Sequence, residues 1–147
     1  FQLALNPLDY DNSRFFLNEL INDSVSLQAR SILSSGLLSG KYDEASIFTD
    51  GMRKRYHEKA FQAKYLRRID KACEVVRYIT GEFGVLSQDV PIFLYSIFEK
   101  MPFIDCVIRG GSSLKQIRGN LATNLVDEEV VKDVIRKMEN DWSCEYV

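Results

Sequence analysis

A chain of 147 residues with 46% hydrophobic and 12% aromatic side chains has the size and core-forming content of one packed domain, and it excludes an intrinsically disordered segment. A net charge of -2 gives no general attraction to nucleic acid, and no apolar run approaches the ~20 residues of a membrane-spanning helix, so neither partner is expected. One histidine and three scattered cysteines (Cys73, Cys106, Cys144) form neither a disulfide framework nor a metal-ligand pattern, which points to a cytoplasmic setting and no metal.

Residues 1–5 are apolar enough for a buried strand, and Asn6-Pro7 ends it because proline restricts both itself and its predecessor. Asn12 or Ser13 can cap a helix running to about Asn22, with Phe16, Leu17, Leu20 and Ile21 inward. Residues 24–29 read as a second strand. A turn-rich segment, residues 30–42, follows with small residues, hydroxyls and Lys41. Residues 43–57 read as loop. A long helix over residues 58–81 puts Phe61, Tyr65, Ile69, Ala72, Cys73, Val76 and Ile79 on one face, and Gly84 is its stop. Ser87 or Asp89 starts the next helix, which tolerates Pro91 early and packs through Ile92, Leu94, Tyr95, Ile97 and Phe98. Residues 104–108 form a third strand, with Cys106 in the core. A helix over residues 113–123 comes next. Asp127 caps a last helix with Val130, Val131, Val134, Ile135 and Met138 inward, and residues 139–147 are a tail. The chain opens without methionine and inside an apolar run, so it is expected to be a piece of a longer protein.

The stretch Val107-Ile108-Arg109-Gly110-Gly111-Ser112-Ser113-Leu114-Lys115-Gln116-Ile117-Arg118-Gly119-Asn120 carries the strongest chemical signal. A strand end, a Gly/Ser turn and a helix start direct backbone N–H groups at one spot, where anions bind, nucleotide phosphates most commonly. Glycine admits close approach, a serine can cap the helix, and Gln116 and Asn120 share a helical face. The same turn can also be purely structural.

Strand, helix, strand order implies parallel pairing with right-handed crossovers. Three such strands in this length equal about the last half of a (β/α)8 barrel, a fold that binds phosphate at the turns after its last two strands. The fold class expected is therefore α/β, the C-terminal half of a TIM barrel, as a single unit over residues 1–147. The open sheet edges of such a unit favour self-association.

Four pieces in order resemble the aldo-keto reductase family from its sixth strand onward. They are Phe1-Gln2-Leu3-Ala4-Leu5-Asn6-Pro7-Leu8, residues 29–42 (against the pattern A-x-S-P-L-x-x-G-x-L-x-G-K-Y), Phe83-Gly84-Val85 through Phe98, and residues 107–120. The resemblance implies an NADP(H)-dependent oxidoreductase interconverting small carbonyls and alcohols. It assigns Gln2 to the nicotinamide carboxamide and Arg30 to the nicotinamide. Ser31, Leu33 and Lys41 fall on the pyrophosphate path, and Gly110, Ser112, Gln116 and Asn120 at the adenosine end, the serine near a ribose 2′-phosphate. Ile32 stands where the family prefers proline, Arg109 where proline or an apolar residue is common, and Gly119 replaces a frequent acidic residue. The family's catalytic Asp, Tyr, Lys and His belong to motifs that this sequence does not contain, so no catalytic residue is assigned.

Two other readings stay open. One is a non-catalytic nucleotide-binding module, regulatory or interacting, of the same fold. The other is a domain holding a phosphosugar at the same turn. Taken singly, Gln2 is also an ordinary strand-end amide and Lys41 an ordinary surface lysine. The basic cluster of Arg53, Lys54, Arg55 and Lys59 beside His57 reads first as a solvated loop.

Overall fold

The computed structural model describes residues 1–22, 25–49, 53–54, 62–122 and 126–142. Strand β1 (Gln2–Ala4) leads to helix α1 (Tyr10–Asn22), then strand β2 (Gln28–Arg30) and a 3-10 turn over Ser34–Ser39. Helix α2 (Gln62–Glu82) follows. A short 3-10 turn at Ser87–Asp89 enters α3 (Val90–Glu99), after which come strand β3 (Cys106–Val107), α4 (Leu114–Asn120) and α5 (Glu128–Lys137). The last helix widens to π geometry over Met138–Trp142.

The strands pair in the order β1-β2-β3, all parallel, with Gln2 level with Gln28 and Gln28 level with Cys106. Asp105 fixes the start of β3 against β2. Its carboxylate accepts the Leu27 N–H at 2.7 Å, and its own N–H donates to the Leu27 carbonyl at 3.0 Å.

The half-barrel expectation is overturned here. The described chain is mostly helix, and its strands are three, three and two residues long, against the five or six usual in a sheet. A barrel helix covers the sheet with one face. In α3, by contrast, every residue from Val90 to Phe98 except Ile92 is buried, so helices and turns enclose it. The apolar runs that read as strands of five or six residues contribute only short ladders, and several of their side chains, Phe1 and Ile108 among them, are exposed rather than packed against a sheet face.

One contiguous core draws on every helix except α4, with Trp142, Phe98, Leu94, Ile97, Ile79 and Met138 among its fully buried members. Tyr78 packs edge-on against Trp142 at 5.3 Å, and its hydroxyl donates to Asp133 at 2.8 Å, which docks α5 on α2. The tail expectation is therefore corrected over its first residues, since Trp142 is a core residue; residues 143–147 lie outside the described ones.

Local signals are mostly placed where their chemistry suggests. Gly84 takes φ 64 two residues beyond α2, and Pro91 sits in the first turn of α3. Ser113 caps α4 by accepting the Gln116 N–H. Asp127 stands at the N-cap of α5 but makes no side-chain capping bond. Helix α1 begins at Tyr10, earlier than expected, and Ser13 instead donates its hydroxyl to the carbonyls of Ala4 and Asp9. Three burial expectations fail: the first strand is not buried at its start, where Phe1 is 73% exposed, Phe16 is 57% exposed, and Cys106 is exposed at the edge of the sheet. The face expected for α2 is correct from Tyr65 onward but omitted Val75, which is fully buried; Phe61 and the residues before it lie outside the described ones.

Candidate functional site

Strands β2 and β3 are adjacent and parallel, so the segments that follow them leave the sheet at the same end. Those segments are residues 31–41 and 108–120. Ligands of α/β sheets dock at such carboxyl ends, where turns can vary without disturbing the ladder.

The first segment is held in an unusual backbone. Ser31, Ser34 and Ser35 take φ values of 60, 47 and 56, followed by Gly36 at 89 and Gly40 at 71. Left-handed non-glycine residues are costly and persist where surrounding contacts enforce them, often at binding sites. The enforcing contact here is a part-buried ion pair. Arg68 of α2 donates to both carboxylate oxygens of Asp9, at 2.8 and 2.5 Å, and to the Ser34 hydroxyl at 2.7 Å. Asp9 is itself fixed by the Asn6 amide at 2.8 Å. Gly40 has no room for a side chain, since a Cβ there would collide with the Ser87 carbonyl. The buried Ser39 hydroxyl has no partner among the described residues, an arrangement that costs about 1–3 kcal/mol.

The second segment is closed on itself. The Ser112 N–H and hydroxyl both donate to the Gln116 side-chain oxygen at 2.8 Å, and the Asn120 amide donates to the Gly110 carbonyl at 2.6 Å. A Cβ at Gly110 would meet nothing within 4 Å, so the corner is open to solvent, whereas one at Gly111 would press on Ile117 at 3.0 Å. Tyr95 of α3 lies behind the corner. Burial pushes its hydroxyl above the usual tyrosine range, while a bond from the Gly110 backbone and the nearby Arg109 charge pull it back down.

The residues expected from the sequence are thus only partly gathered. Gly110, Ser112, Gln116 and Asn120 form one hydrogen-bonded corner. Arg30, Ser31 and Lys41 are exposed around the neighbouring turn, with the Arg30 guanidinium on the Ser31 hydroxyl at 3.2 Å. Leu33 packs its side chain on the core and offers its carbonyl to the N–H groups of Gly36 and Leu38. Gln2 is not brought to these turns. It opens β1, on the order of 10 Å along the strand before the level of Ser31, and its amide bonds Gln28 at 3.1 Å.

The sequence marks Arg109 only as a departure from the family pattern and gives Arg68 and Ser34 no role. The signal for Arg109 was present as a lone arginine in an otherwise apolar and glycine-rich run. Arg68 gave none, since one arginine on a charged helix resembles any other. In the basic cluster, Arg53 bonds the Tyr42 hydroxyl and stacks on its ring, with the ring of Phe48 packed against Tyr42 at 4.9 Å. Lys54 is exposed, and Arg55, His57 and Lys59 lie outside the described residues.

Among the described residues no three metal-ligating side chains converge, and no helix is long and apolar enough to cross a membrane. Comparison with protein-family models and with curated proteins finds no match for this sequence.

Proposed function

We propose that this chain grips the dinucleotide of an aldo-keto reductase-like, NADP(H)-dependent oxidoreductase acting on a small carbonyl or alcohol in the cytoplasm. The observation that carries the reading is the side-by-side exit of residues 31–41 and 108–120 from adjacent parallel strands, one turn with strained serines and the other with an open glycine corner. Lys41 supplies exposed positive charge for a pyrophosphate, and Arg30 is exposed at the same turn for the nicotinamide. Ser112, Gln116 and Asn120 supply hydroxyl and amide groups for an adenosine ribose and its 2′-phosphate. The reading asks Gln116 to release Ser112, or to keep it and turn both toward the ligand. Gln2 would have to leave Gln28 to reach a carboxamide, so it is the weakest member of the set.

Hydride transfer also needs a proton donor at the carbonyl oxygen. No described residue is assigned that task, and the same geometry serves a module that binds nucleotide without turnover. The outer edges of β1 and β3 have no partner strand among the described residues, which supports self-association through them.

Calorimetric titration with NADPH, NADH and a sugar phosphate tests the reading. NADPH is expected to bind more tightly than NADH, with Lys41→Ala weakening NADPH by about tenfold, the loss of one charged phosphate contact. Binding of the sugar phosphate with no heat from NADPH would refute it.

A further inference from the structure

We propose that Arg109 is a positioning residue, a latch that holds α4 and the glycine corner in their binding shape before any ligand arrives. The proposal rests on the nucleotide reading for its purpose, but its geometry stands apart from it. Helix α4 buries no residue: Leu114, Ile117 and Leu121, the apolar side chains at helical spacing, are 73%, 44% and 66% exposed. Apolar packing therefore does not hold this segment in place. Its own bonds, Ser112 to Gln116, Ser113 to Gln116 and Asn120 to Gly110, close it on itself; the Gly110 backbone bond to the Tyr95 hydroxyl holds its near end to α3, but none of these bonds ties its far end to the body.

Arg109 makes that tie. On one side its guanidinium donates to the Glu99 carboxylate through Nε at 3.1 Å and Nη2 at 2.5 Å, and lies 5.2 Å from the ring centre of Tyr95. Both partners are on α3, the most enclosed helix of the core, one turn apart. On the other side Nη1 donates to the carbonyls of Asn120 and of Ala122, the latter at 2.9 Å. These carbonyls end α4, where a cation also meets the negative end of the helix dipole. The Arg109 side chain is 11% exposed and that of Glu99 36%, so the guanidinium side of the bridge is shielded while the carboxylate side meets solvent. A planar fork with donors on both edges can span a carboxylate and two carbonyls at once, which an ammonium cannot do with the same geometry. Because residue 109 is covalently next to Gly110, fixing its side chain to α3 and to the far end of α4 pins both ends of the corner.

The test uses the ligand-free 147-residue chain and the variants Arg109→Met, Arg109→Lys and Glu99→Gln, read by hydrogen exchange and by binding of 2′,5′-ADP and of nicotinamide mononucleotide. Arg109→Met is expected to speed amide exchange across residues 110–122 by tenfold or more, with α2 and α3 unchanged, and to weaken 2′,5′-ADP about tenfold while sparing the mononucleotide. Arg109→Lys and Glu99→Gln should fall between it and the wild type, and Glu99→Gln keeps the proposal testable if Arg109→Met fails to fold. Unchanged exchange in every variant overturns the latch. Faster exchange with unaltered 2′,5′-ADP affinity overturns the positioning role and leaves a structural bridge. Wild-type protein that binds no 2′,5′-ADP overturns the nucleotide reading, and the positioning role with it, while exchange still reports on the latch.

Discussion

Helices α3 and α4 are neighbours in space and are held by opposite means. In α3, residues Val90 to Phe98 bury almost every side chain, and the helix needs no ion pair to stay in place. In α4 no side chain is buried, and the helix is kept by a cap, an amide bond and the arginine bridge to α3. Apolar burial is insensitive to direction, whereas hydrogen bonds and charge pairs fail when geometry shifts. The difference teaches that this molecule keeps a rigid body beside a segment whose shape depends on a few polar contacts, a division suited to binding. The turn over Ser34–Ser39 lies between the two modes: Leu37 and Leu38 are buried, yet its left-handed Ser34 also takes a hydrogen bond from Arg68.

The largest effect should come from the body. Trp142→Ala is expected to lower unfolding free energy by about 3–5 kcal/mol in urea titration, because a fully buried indole leaves a cavity against Tyr78. Arg68→Met should cost about 2–3 kcal/mol, since it removes the charged hydrogen bonds to Asp9 and releases Ser34. Gly40→Ala should cost about 1–3 kcal/mol from backbone strain, in addition to the clash with Ser87. An effect near zero for either of the last two would mean that the turn does not need its enforcing contacts. At the small end, Leu114→Ser in α4 is expected to change stability by no more than about 0.5 kcal/mol. Ser39→Ala should be neutral or stabilising, because it removes a buried hydroxyl without a partner among the described residues.

The comparison extends to alkaline pH. Burial raises the hydroxyls of Tyr10 and Tyr95 above the ordinary value of 10.0, so the folded state keeps protons that the unfolded chain releases. Their contribution to stability is fully present below 10.0 and falls as pH rises through the folded values. Spectrophotometric titration of tyrosine ionisation should show these groups ionising above 10.0, as Tyr78 also should because burial and its bond to Asp133 raise it, and Tyr95→Phe should remove one of them.

Much of the element order was legible in the sequence, and the reason is local. Proline at Asn6-Pro7 and glycine at Gly84 act through their own backbone, and the Ser113 hydroxyl acts on an N–H three residues on, so their effect is visible without a fold. The architecture was not legible in the same way. An apolar run such as residues 104–108 reads as a strand from its composition, but whether two or five residues join the ladder depends on what packs over it. Phe16 and Val75 show the same limit on helices, where an apolar stripe gives the side that is buried and tertiary packing decides its borders. Within the candidate site, the glycine corner and its Gln116 and Asn120 partners could be read from spacing. Arg68 could not, because its partner Asp9 is 59 residues away. The bridge from Arg109 to Glu99 spans ten residues across a loop and a strand, a distance at which spacing alone carries no contact information.

The central claim is that the two turns beyond β2 and β3 form one nucleotide grip. Amide chemical-shift mapping during titration with NADP+ tests it most directly. The account expects shifts concentrated in residues 30–41 and 109–120, with the body formed by α2, α3 and α5 silent. Shifts that fall elsewhere, or at one turn without the other, would contradict it.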